Sequence, residues 1–201
     1  MQEAILHLSS TDPVLSAIIE RVGGYRIQFR DPNFETLVRS IVFQQLSGKV
    51  ARVIFDRLAG AVVGGKLTPE GILKLRPARM RSLGLSKQKT EYIRDLARRT
   101  RNGELVFEEL PDLSDEDVIE RLTQVKGIGV WTAHMFLMFA LRRTNVLPVG
   151  DLGIRVAVRK AYGLEAMPKP AELEVLGQRW HPYCTVASWY LWRSLENQPD
   201  L

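Results

Sequence analysis

Two short stretches carry the residues best placed to do chemistry. The first is Val125-Lys126-Gly127-Ile128-Gly129, two glycines separated by a single apolar residue. Glycine tolerates positive φ and lets the backbone approach another molecule closely. A helix running into Gln124 and a second one starting at Val130 would bury Ile128 and turn the amides of the second helix's first turn outward. Such amides, reinforced by the helix dipole, form a site for an anionic phosphate. The second stretch is Leu147-Pro148-Val149-Gly150-Asp151, whose aspartate stands twenty-two residues beyond Gly129. Proline and glycine ahead of it, and Leu152, Ile154 and Val156 after it, place Asp151 at a loop-to-helix junction. A carboxylate there is favoured by amides and dipole and suits a base or an electrostatic stabiliser. It equally suits a plain N-cap.

The elements that must position these groups are helical. Ser10-Thr11-Asp12-Pro13 reads as a helix start, followed by Val14, Leu15, Ile18, Ile19 and Val22 at helical spacing until Gly23-Gly24 stops the run. Asp31-Pro32-Asn33 opens a segment with Leu37, Ile41 and Val42 on one face, broken near Gly48 and continuing through Val50, Val53, Ile54 and Leu58. Thr68-Pro69 and Ser114 supply further caps, and Lys87 to Arg101 reads as a basic helix. Strand-like alternation is confined at most to Tyr25–Phe29. The fold expected from this pattern is mainly α.

Composition narrows the partners. A chain of 201 residues, 45% hydrophobic, can bury a core as one domain or as two small lobes. A formal charge of +5 suits a polyanion. The single cysteine, Cys184, excludes an internal disulfide and a cysteine-ligated iron–sulfur cluster. Nowhere do 18 apolar residues run together, so no membrane span and an intracellular, cytoplasmic or nucleoid-associated location are expected. Between Lys74 and Arg101 ten basic residues face two acidic ones. Arg98, Arg99 and Arg101 suit a solvated face; Lys87 and Lys89, near a helix N-terminus, suit phosphate. His134 and Cys184 read as packed rather than reactive.

The run Val125-Lys126-Gly127-Ile128-Gly129-Val130-Trp131-Thr132-Ala133, the Leu147–Asp151 loop and their spacing resemble the helix-hairpin-helix (HhH-GPD) DNA glycosylases, and within them the 3-methyladenine DNA glycosylase II branch. Arg39-Ser40-Ile41-Val42-Phe43-Gln44-Gln45-Leu46-Ser47 is similar to that branch's helix and intercalating loop. So is Leu83-Gly84-Leu85-Ser86 with Lys87, Lys89, Tyr92 and Ile93. The resemblance spans roughly residues 12 to 195.

The resemblance implies an all-α enzyme of two helical lobes without an N-terminal β-domain. Residues 31–145 would form the hairpin lobe, residues 1–30 with 146–201 the other, with hairpin and Asp151 at the DNA-binding cleft. It implies base flipping out of double-stranded DNA and hydrolysis of the N-glycosidic bond of 3-methyladenine- or 7-methylguanine-type bases. Asp151 would activate water or stabilise a cationic sugar. Members that also cut the backbone carry a lysine two residues beyond the second hairpin glycine; Trp131 stands there, so base removal without strand cleavage is expected. Trp131, Trp192, Met135 and Phe43 would line the base pocket. Gln44 and Gln45 lie where the branch inserts a side chain into the gap, Gln45 being favoured. Lys87, Lys89, Lys126, Gly127, Gly129 and Val130 would meet DNA. Carbonyls of Thr123, Val125 and Gly127 match those that bind Na+ or K+ in related members; no other cofactor is implied, and a monomer is expected. Removal of another lesion, or a non-catalytic DNA-binding module, stays open.

Overall fold

The computed structural model describes residues 1–196, which fold into helices and loops with no strand among them. Tyr25–Phe29 is irregular rather than extended in a ladder. The chain divides into two compact units: Met1–Phe29 together with the chain from Arg142 onward, and Arg30–Leu141.

The first unit contains α1 (Gln2–Thr11), α2 (Pro13–Val22), α10 (Leu152–Ala161), α11 (Pro170–Gly177) and α12 (Cys184–Glu196). The sequence announces α2 through its cap but not α1, which buries only Ala4 and Leu8. Leu8, Leu15, Ile154, Val158, Trp180 and Leu191 are fully or almost fully buried in one apolar cluster. Asp12 lies at its edge with no exposed surface. One of its oxygens caps α2 through the amides of Val14 and Leu15, at 3.0 and 3.1 Å. The other accepts the Trp180 indole N–H at 2.8 Å and the Tyr162 hydroxyl. A buried carboxylate satisfied on both oxygens in this way ties α2 to the end of α10. Burial and the Asp12 charge push the Tyr162 phenol well above its ordinary range.

The second unit contains α3 (Phe34–Phe43), α4 (Gly48–Gly60), α5 (Pro69–Lys74), α6 (Pro77–Ser82), α7 (Lys87–Arg101), α8 (Asp115–Thr123) and α9 (Val130–Phe139). Asn33, Thr68, Ser86 and Ser114 each accept a first-turn amide, as their residue types predict. The central helix is α7, which packs against α3, α5 and α6 with Ile93 and Leu96 fully buried. It presents Arg94 to the Leu75 carbonyl at 2.7 Å, closing the end of α5. Helix α9 pairs with α8 and buries Thr132, Ala133, Phe136, Leu137 and Met138, leaving Val130 and Trp131 exposed.

Candidate functional site

The hairpin forms where the glycines call for it. Helix α8 ends at Thr123, Val125 and Ile128 turn inward, and their amides bond to Leu122 O and Val125 O, each at 3.1 Å. Gly127 sits at φ +80°, and a Cβ there would lie 2.0 Å from the Tyr92 ring. Any side chain would therefore meet both strain and collision. Gly129 is the N-cap of α9 and offers no side-chain acceptor to its first turn, where Val130 and Trp131 are exposed. From α7, Asp95 accepts the Lys126 amide at 3.0 Å while pairing with Arg98 and Arg99. Burial alone would raise the Asp95 carboxyl; the Lys126 amide and the two guanidinium groups outweigh it and hold it below its ordinary value.

The loop between α3 and α4 is fixed from two sides. The Lys89 ammonium donates to Val42 O at 2.8 Å and Gln44 O at 2.6 Å. The Gln44 amide donates to Gly127 O at 2.9 Å. Gln45, directly after these anchors, takes φ +56° and is exposed. A cavity of about 740 Å³ opens here, lined among others by Phe43, Gln44, Gln45, Lys89, Gly127, Gly129, Trp131 and Met135. Arg39 also lines it, its guanidinium 4.0 Å from the Phe43 ring centroid and 5.3 Å from that of Phe55.

In the other unit, the Leu147–Asp151 loop closes through Val149 N to Leu147 O at 2.9 Å and Asp151 N to Pro148 O at 2.8 Å. Asp151 is the N-cap of α10 and 8% exposed. Its Oδ1 accepts both the Ile154 amide and the Trp192 indole N–H, each at 2.8 Å. Trp192, partly buried on α12, thus steers the carboxylate. A Cβ on Gly153 would stand 3.1 Å from both groups, so the absence of a side chain keeps that pair close.

The family model described as "HhH-GPD superfamily base excision DNA repair protein" matches residues 38–182, most of the chain and both the hairpin and Asp151. The chain belongs to this superfamily. It is 36% identical to DNA-3-methyladenine glycosylase 1 of Schizosaccharomyces pombe, across 96% of this chain and 87% of that one. Among solved HhH-GPD-like structures, a DNA-3-methyladenine glycosidase from Bacillus halodurans superposes with a TM-score of 0.87 at 38% identity, covering 96% of this chain and 89% of that one. A 3-methyladenine DNA glycosylase of S. pombe in complex with abasic DNA gives 0.84 at 37% identity, covering 94% and 95%.

Placed on this superfamily member, the candidate catalytic, base-pocket and DNA-binding residues divide into three groups. Phe43, Gln44, Gln45, Lys89, Gly127, Gly129, Trp131 and Met135 share the cavity. Lys87, Lys126 and Val130 are exposed but do not line it. Asp151 and Trp192 form their own hydrogen-bonded pair. Three groups escaped sequence reasoning: the Lys89 contacts, the Asp95 brace and the Arg39 stack. A signal existed for Lys89, because a cation in the first turn of a helix opposes the dipole and calls for a separate partner. His134 is half-buried, and burial pushes its imidazole below the ordinary value against the pull of Asp115. Cys184 is buried and its thiol is pushed up to about 12 by desolvation, which leaves it unreactive. No group of three or more His, Cys, Asp or Glu among the described residues could hold a metal ion. No helix among them is long and apolar enough to cross a membrane.

Proposed function

We propose that this chain is a monofunctional DNA glycosylase that releases alkylated bases of the 3-methyladenine and 7-methylguanine type from duplex DNA and leaves an intact abasic site. The observation that carries the reading is the Asp151 carboxylate, steered by the Ile154 amide and the Trp192 indole, in a chain 36% identical to a named 3-methyladenine glycosylase. The first-turn amides of α9 would hold a phosphate of the damaged strand. Gln45 would occupy the gap left when the nucleotide leaves the stack. As the bond from sugar to base breaks, its electron pair departs with the base and positive charge grows on the sugar. Asp151 would stabilise that charge or take a proton from the incoming water.

A base made cationic by alkylation leaves with little acid help, so a single carboxylate suffices. The Trp131 indole, 49% exposed at the cavity, supplies a π face worth about 0.5–2 kcal/mol to such a cation. Phe43 is less available, since one face of its ring carries the Arg39 guanidinium. An indole cannot form a Schiff base, so strand cleavage is not expected. The carbonyls of Thr123, Val125 and Gly127 suit a monovalent cation. Val125 O and Gly127 O each accept one hydrogen bond and keep a second lone pair. Sodium or potassium bound there would add positive charge beside the phosphate.

A second reading is favoured by Arg39: its charge on the same cavity opposes a cationic base and would suit a neutral lesion such as hypoxanthine. Base release from methylated DNA, compared between wild type and Asp151→Asn and resolved by chromatography, decides the matter. Methylated purines should be released by wild type and slowed about a hundredfold to a thousandfold in the variant, with duplex binding kept and abasic strands uncut. Full activity in Asp151→Asn would overturn the mechanism; release of hypoxanthine from an inosine-containing duplex, with no methylated purine released from methylated DNA, would select the second reading.

A further inference from the structure

We propose that Lys89 is a positioning residue for the intercalating loop, and that it acts on DNA through Gln45 rather than through a phosphate of its own. The inference rests on the reading of Gln45 as the side chain that fills the gap.

The sequence places Lys89 among surface lysines near a helix N-terminus, where a phosphate ligand is expected. The structure instead turns its ammonium inward onto Val42 O and Gln44 O, at 2.8 and 2.6 Å. These carbonyls sit at and just beyond the end of α3, where a cation is favoured by the dipole and answers acceptors the helix leaves unpaired. The bonds reach back 47 and 45 residues, so they join α7 to the loop. Burial lowers the Lys89 pKa, in keeping with an ammonium drawn out of water.

What the clamp holds is a conformation that does not hold itself. Gln45 occupies the left-handed region at φ +56°, which costs a non-glycine residue about 1 kcal/mol or more. The peptide leading into it is pinned through its carbonyl by Lys89, while the Gln44 side chain is tied to Gly127 O at 2.9 Å. Gln44 is thus committed to the hairpin, which leaves Gln45 to enter the duplex. The same bonds put the plug in fixed register with the hairpin that grips phosphate, so gripping and flipping share one scaffold.

The test uses the full chain with Lys89→Met, Lys89→Arg, Gln45→Ala and the Lys89→Met/Gln45→Ala double variant. Single-turnover base release is measured on a methylated duplex, and affinity on a duplex carrying a tetrahydrofuran abasic analogue across a salt series. Lys89→Met should slow release about tenfold, as loss of a charge-assisted hydrogen bond does, and by less than about twofold in the Gln45→Ala background. Lys89→Arg should recover part of the rate. The slope of log affinity against log salt should equal that of wild type. A slope shallower by about 0.9 with equal losses on every duplex would make Lys89 a phosphate ligand and overturn the proposal, as would additive effects of the two substitutions. Should Lys89→Met not fold, Lys89→Arg must show the same dependence on Gln45: a slower release than wild type with Gln45 present and no further loss in the Gln45→Ala background. Wild type inactive on methylated DNA would refute the glycosylase reading instead, while the salt slopes would still judge Lys89.

Discussion

The Asp151 corner and the hairpin corner differ in how much of their geometry is fixed locally. Asp151 takes one anchor from Ile154, three residues away, and another from Trp192, 41 residues away. The hairpin and the loop ending α3 are held by contacts spanning 31, 45, 47 and 83 residues, from Asp95, Lys89 and Gln44 to backbone groups. A carboxylate capped by its own helix start keeps that anchor wherever the helix forms, while the Trp192 anchor needs α12 in place. A surface stitched from distant side chains exists only when its whole unit is folded. The Asp151 carboxylate is therefore set partly by its own helix start and the hairpin surface by packing alone, and substitutions in the two corners should leave different signatures in rate and affinity.

The largest break in this contrast is expected from Gly127→Ala. The new Cβ must occupy φ +80° and stand 2.0 Å from the Tyr92 ring. Left-handed strain and overpacking together cost about 3–5 kcal/mol, a fall in melting temperature on the order of 10 °C. Duplex affinity should collapse with it, the reverse of Asp151→Asn, which keeps affinity and loses rate. Adding Tyr92→Ala removes the collision and should restore roughly half the stability, leaving the backbone strain. A Gly127→Ala protein that melts and binds like wild type would show that the hairpin does not need its packing against α7.

The same contrast explains what could be read in the sequence. Asp151, Asn33, Thr68 and Ser114 cap helices through amides three residues on, so residue type and spacing suffice to find them. The glycine pair and Asp151 stand out for the same reason. Helix α1 has no such start signal, its N-cap Met1 offering no side-chain bond, and it escaped notice. Lys89 and Asp95 escaped differently. Each was visible as a charge on a basic helix, but the partner of each is a backbone group far along the chain, and backbone groups carry no identity in a sequence. Resemblance located the loop they brace without showing what braces it.

Trp192→Phe sharpens the comparison inside the Asp151 corner. The ring shape is nearly kept while the N–H donated to Asp151 Oδ1 at 2.8 Å is lost. A charge-assisted bond of this kind is worth roughly 1.5–3 kcal/mol, so single-turnover release should slow at least about tenfold. Affinity for a duplex with an abasic analogue should stay unchanged. Weakened binding with an undiminished rate would instead make Trp192 a stacking wall of the base pocket, as the resemblance implies.

The smallest effect tests the hairpin brace through pH. Asp95 is held below the ordinary carboxylate value, so the native state releases its proton more readily than the unfolded chain does. Its contribution to stability is complete above the unfolded value of about 4 and is lost as pH falls through the lower native value. Asp95→Asn retains an oxygen for the Lys126 amide but loses the charge facing Arg98 and Arg99. The variant should be less stable than wild type by about 1 kcal/mol at neutral pH, and the gap should narrow steadily below about pH 4. Denaturant melts of both proteins from pH 3 to pH 7 measure this directly. A gap that stays constant through the acid range would mean that the hairpin amide is held by the oxygen at position 95 and owes nothing to its charge.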